Sequence, residues 1–138
     1  MGIKKQPVDA ARGRIHKLHE LPDDLVTFSF RHLSLNEKFT FPGSELARYV
    51  SVFFERLRSV SGMRVHEIKM SGPGLRCHPI NWAGTTEPDG FAHLSQQLRE
   101  CEPRQFSLTA NEHGRVHGIL IDNVFYIVWL DPNHALYQ

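Results

Sequence analysis

The sequence predicts a single α+β domain: one antiparallel sheet, ordered strand–helix–loop–helix–three-stranded meander, with the helices packed on one face. Three observations carry this. Apolar and polar residues alternate with a period of two near residue 25 and again after residue 105. One long amphipathic stretch lies between them, and a segment rich in proline and glycine divides the chain in the middle.

Residues 1–24 mix Lys4, Lys5, Arg12, Arg14 and Lys17 with few large apolar groups, and read as an N-terminal arm ahead of a domain over 25–138. Within the arm, "ARGRIHKLHEL" suits a short helix. "LVTFSF" then sets Val26, Phe28 and Phe30 on one face of a half-buried strand. In "FPGSELARYVSVFFERLRSVSGM", Leu46, Val50, Phe53, Leu57 and Val60 recur at helical spacing. Ser44 is the expected cap and Gly62 the expected stop. "MRVHEIKM" fits a helical turn better than a strand, because Val65 and Ile68 are three apart.

From Ser71 to Asp89 the chain carries Gly72, Pro73, Gly74, Pro79, Gly84 and Pro88, and reads as loop. Asp89 is expected to cap a second helix over "GFAHLSQQLRE", where Phe91, Leu94 and Leu98 form the apolar stripe. "QFSLTA" alternates as a strand, and "NEHG" is a turn. "RVHGILI" and "VFYIVWL" are joined through Asp122 and Asn123, both tolerant of positive φ, so they form a tight hairpin. The dense apolar run from Val124 to Leu130 indicates a central strand covered on both faces.

Composition narrows the function classes. A net charge of +1 provides no global field for nucleic acid or anionic membrane, so any such binding must be local. Nine histidines make the charge sensitive to pH between about 5 and 7. Cys77 and Cys101 are no disulfide framework, and a reduced, cytoplasmic chain is expected. No apolar run approaches the ~20 residues that a membrane span needs. Nucleotide-binding glycine motifs, HExxH, CxxC and the nucleophile elbow are all missing. No metal or other cofactor is called for.

The polar residues that remain sit at the ends of predicted elements. Arg115 and His117 project from one strand face, at the rim of a stripe continued by Ile119 and Ile121. Arg76 and His78 lie in the proline- and glycine-rich loop. His134 and Tyr137 follow the central strand, where Asp131 either orients an imidazole or ends the strand through "DPN" turn chemistry. Metal-free RNA cleavage needs a base for the 2′-hydroxyl, an acid for the leaving oxygen and cations on the phosphate. His134 or His117 supplies the first, Tyr137 or the other histidine the second, and Arg115 and Arg76 the third. Trp82, Tyr126 and Trp129 are candidates for base stacking, or for core.

The element order, closed by "RVHGILIDNVFYIVWLDPNHALY", resembles the RelE/ParE-like toxin superfamily. The matching positions are Arg115 opening one strand, Val124 to Leu130 on the next, and His134 and Tyr137 in the polar tail. The chain is longer than the typical member, adding the N-terminal arm and the loop-plus-helix from Ser71 to Glu100. The resemblance implies a toxin-type ribonuclease of a toxin–antitoxin or phage-defence system. It would act on RNA, including ribosome-bound message, and be held inactive by a cognate antitoxin. Catalysis would fall to His134, Tyr137, Arg115 and His117, with Arg76 and His78 binding substrate. The competing expectation is a non-catalytic, intracellular protein-interaction module with a histidine-rich edge.

Overall fold

A computed structural model describes residues 22–137. Its five strands are β1 (Thr27–Ser29), β2 (His78–Pro79), β3 (Pro103–Ser107), β4 (Arg115–Ile121) and β5 (Val124–Asp131). They form one sheet in the order β1-β5-β4-β3-β2. The helices are α1 (Leu46–Ser61), α2 (Val65–Lys69) and α3 (Gln96–Arg99).

The α+β class holds, but the sheet is mixed and not wholly antiparallel. β1 runs parallel to β5, pairing Thr27 with Val124 and Ser29 with Tyr126. The hairpin turn itself fixes this docking. The Asn123 carbonyl accepts from the Thr27 N–H at 2.9 Å, and its side-chain amide donates to the Leu25 carbonyl, also at 2.9 Å. Asp122 takes the left-handed conformation expected of it, at φ 53°.

Both faces of the sheet are covered. On one face, Tyr49, Phe53, Leu57 and Val60 of α1 pack with Val26, Ile68, Phe106, Val116, Leu120, Phe125 and Ile127. On the other, Phe39, Ile80, Phe91 and Leu136 close over Ile119, Val128 and Trp129. Each such buried side chain contributes about 1.5–3 kcal/mol of hydrophobic stabilisation. The helices are therefore not confined to one face, because α3 contributes Leu98 to the second cluster. An apolar central strand with two greasy faces requires that second cover.

Local corrections have local causes. Ser44 does not cap α1; the residue before the helix is Glu45, at φ 54°, so Ser44 stands one position too early. Asp89 likewise does not cap a helix over 90–100. Gly90 turns at φ 65° against the Trp82 indole, and Ser95 caps the single turn of α3 by accepting from the Leu98 N–H at 3.3 Å. Phe91, Leu94 and Leu98 still reach one cluster, without sharing a helix. Inside the expected loop, β2 adds a short edge strand. The expected helix in "ARGRIHKLHEL" lies outside the described residues. Asp24, placed in the arm, belongs to the folded unit: its carbonyl accepts from the Val65 N–H and its carboxylate pairs with Arg64 at 3.0 Å. Among the described residues no helix is long and apolar enough to cross a membrane.

One irregularity shapes everything on the second face. Pairing between β4 and β5 slips between His117 and Gly118, which oppose Trp129 and Ile127, leaving Val128 as an extra residue. Phe125 and Ile127 therefore face α1, whereas Trp129 faces the other way. A side chain at Gly118 would meet the Tyr126 carbonyl and come within 2.5 Å of the Phe125 ring. Gly118→Ala should therefore cost about 1–3 kcal/mol or more, read as a lowered urea midpoint with an unchanged m-value.

Candidate functional site

The bulge aligns a polar row across the second face. Register sets His78 beside Gln105, Gln105 beside His117, and both Ser107 and Asp131 beside Arg115. The expectation that Arg115, His117, Ile119 and Ile121 share a face agrees with the placement of both isoleucines in the second cluster.

The tail after β5 is built, not frayed. The Asp131 carboxylate, 1% exposed, accepts from the Ala135 N–H at 2.7 Å and the Leu136 N–H at 3.0 Å. Leu136 is fully buried, and Thr86 clasps the segment, its N–H donating to the Leu136 carbonyl and its hydroxyl to that of Ala135. His134 turns at φ 55°, and the Tyr137 hydroxyl accepts from the Asn81 N–H at 3.2 Å. Of the two roles open to Asp131, strand termination is the one its hydrogen bonds perform.

These elements converge on a cleft of about 170 Å³ lined by His78, Gln105, Arg115, Asp131, His134 and Tyr137. Four of the six residues singled out in the sequence line it: His78, Arg115, His134 and Tyr137. Arg76 is not among the lining residues; it takes φ 51° and donates from Nε to the Pro73 carbonyl at 2.7 Å. His117 lies in the sheet with no exposed surface, so no ligand touches it. Trp129 is core, stacked on Phe39 at 4.4 Å. Gln105 had no sequence signal, being one polar residue in an alternating strand.

The hydrogen bonds fix the protons. Arg115 donates from Nη1 to His134 Nε2 at 3.1 Å, so the neutral ring carries its proton on Nδ1. Burial, then the charge of Arg115 and more weakly that of Arg76, lowers the pKa of His134, while Asp131 opposes the shift. Burial and Arg76 likewise lower that of Arg115. His78 donates from Nδ1 to the Pro79 carbonyl at 2.8 Å and accepts at Nε2 from the Gln105 amide at 2.9 Å. The Gln105 Oε1 and Ser107 hydroxyl are buried with no partner. His117 Nε2 sits 3.4 Å from the Asp131 carboxylate, too skewed for a hydrogen bond, and its pKa is lowered to about 3 by burial and then by Arg115, His134 and His78. Among the described residues no three His, Cys, Asp or Glu side chains gather to hold a metal ion. Cys77 and Cys101 are both free thiols.

Compared with family models, curated proteins and solved structures, the chain shows no match, so its chemistry is read from its own geometry.

Two outcomes follow for stability. Because the folded pKa of His117 lies below its unfolded value near 6.5, the unfolded chain binds the extra proton between those values. That stability is intact above about pH 6.5 and declines by about 1.4 kcal/mol per pH unit below it. Urea titrations at pH 7 and pH 5 should show the loss, and His117→Leu should flatten most of it. Asp131→Ala should cost about 2–3 kcal/mol by stripping two N–H groups of their acceptor, with the His134 and Tyr137 ring resonances collapsing toward free-peptide positions.

Proposed function

We propose that the chain is a metal-independent endoribonuclease of the toxin type, acting on RNA in the cytoplasm and restrained by a cognate antitoxin. One observation carries this reading: residues far apart in sequence, His78, Arg115, His134 and Tyr137, line a single cleft. The resemblance of Arg115, His134 and Tyr137 to the RelE/ParE-like pattern supports the toxin assignment, and ribosome-bound message is the substrate it implies.

Arg115 moves from His134 Nε2 to the scissile phosphate, which frees the imidazole lone pair. His134, kept neutral near pH 7 by burial and by Arg115, then removes the 2′-hydroxyl proton. The 2′-oxygen attacks phosphorus while the bond to the 5′-oxygen breaks, giving a 2′,3′-cyclic phosphate and a 5′-hydroxyl. Tyr137 protonates the leaving oxygen; its hydroxyl accepts from Asn81, which leaves its own hydrogen free to donate. Arg115 stabilises the charge on the phosphorane. His78 closes the cleft wall, Arg76 adds positive potential beside it, and His117 supports the floor.

A second reading, a non-catalytic interaction module, draws on a different surface. Phe30, Leu33, Phe41, Tyr49, Val50, Phe53, Phe54 and Leu130 line an apolar groove of about 260 Å³, with Phe54 59% exposed. Apolar exposure of this kind marks interaction surfaces.

Tightly induced expression separates the two. Wild type should arrest growth and degrade bulk RNA. His134→Ala and Arg115→Ala should each lower cleavage by about 10²–10⁴-fold, with stability changed by under ~1 kcal/mol. Growth with intact RNA from soluble, folded wild type would overturn the nuclease. Since Arg76 helps hold the His134 pKa down, the acid limb of the cleavage profile should lie below pH 6.5, and Arg76→Gln should move it upward.

A further inference from the structure

A second cavity lies on the same sheet face, beside the cleft. It has a volume of about 330 Å³, and its lining includes Trp82, Asp89, Phe91, Gln96, Arg99 and Pro103. Trp82 and Phe91 meet edge to face at 4.8 Å. Gly90, at φ 65°, lies flat on the indole, where any side chain would come within 2.8 Å of the ring, so the backbone holds Trp82 in place. Arg99 donates to the Asp89 carbonyl at 3.5 Å, which ties α3 to the opposite wall.

The chemistry of this lining is specific. Half-buried Trp82 gives the lining an aromatic wall, and the polar groups supply donors (Arg99, Gln96) as well as acceptors (Asp89, Gln96). One cation and one anion in the same lining disfavour a ligand with net charge. A flat, neutral heterocycle with donors and acceptors along its edge satisfies both walls, and a nucleobase is such a group.

Its position links it to the cleft. Tyr137 of the cleft is held by the Asn81 N–H, and the next residue is Trp82. Pro103 borders the cavity and Gln105 the cleft; two residues apart on β3, they share a face at a spacing of about 7 Å. That is within the reach of a base across its own ribose to the adjoining phosphate.

We infer that this cavity is a nucleobase subsite that seats the base beside the scissile phosphate and gives the nuclease its sequence preference. The inference rests on the ribonuclease reading and adds Trp82, Arg99 and Gln96 as the residues that set specificity.

The test titrates isotope-labelled protein with the four ribonucleosides, with inorganic phosphate, and with ribonucleoside 3′-monophosphates, following the Trp82 indole N–H and the arginine side chains by NMR. At least one nucleoside should shift the Trp82 signal, and its 3′-monophosphate should bind at least ~10-fold tighter because it spans both sites. Arg99→Ala and Gln96→Ala, both at exposed positions, should each weaken nucleoside binding several-fold and change which sequence is cut. If no nucleoside moves the indole while RNA is still cut in an Arg115-dependent way, the subsite is overturned and the nuclease stands. If nucleosides bind but phosphate adds nothing and RNA stays intact, the nuclease reading falls, and the linked subsite with it.

Discussion

The extra residue at Val128 decides what the second face of the sheet can carry. Without it, strict alternation along β5 would send Trp129 toward α1 with Phe125 and Ile127. The slip turns Trp129 into the opposite cluster and brings the end of the strand, Asp131, level with Arg115. It holds only because Gly118 has no side chain to strike the Tyr126 carbonyl and the Phe125 ring. The polar row, the tail and the cleft all sit downstream of that one tolerance.

Once Asp131 is in place, its carboxylate organises the rest of the site at short range. The backbone bonds to Ala135 and Leu136 satisfy the charge inside the protein, where leaving it bare would be costly. The same bonds aim His134 at Arg115 and Tyr137 at Asn81. The cleft therefore combines a histidine deprived of its usual proton affinity with a cation that already occupies its lone pair. A ligand able to draw that cation away would leave the imidazole lone pair open to that ligand.

Much of this was legible in the sequence. The hairpin at Asp122–Asn123, the amphipathic course of α1 and the shared face of Arg115, Ile119 and Ile121 follow from local periodicity, which tertiary packing had no reason to override. The parallel docking of β1 was not legible, since it depends on hydrogen bonds from Asn123 to residues far back along the chain. Nor was the bulge, because one extra residue in an all-apolar run leaves no mark on the pattern. The helix read over 90–100 shrank to one turn because Phe91 is drawn into the core and Gly90 bends around Trp82. Four of the chosen site residues met in one cleft, since each stood at the end of an element. Gln105 escaped notice because it is polar in mid-strand, with nothing nearby to distinguish it.

The strand order has a consequence for how the protein comes into being. β5, the last strand in sequence order, is an interior strand, while β1, the first, is an edge that among the described residues pairs with β5. β1 stays unpaired until β5, far along the chain, reaches it, so the sheet closes through its most non-local contact, which slows folding. Asp131, His134 and Tyr137 of the cleft lie in or just beyond that same interior strand. Whatever the cleft binds, it can do so only after the longest-range pairing in the sheet has been made.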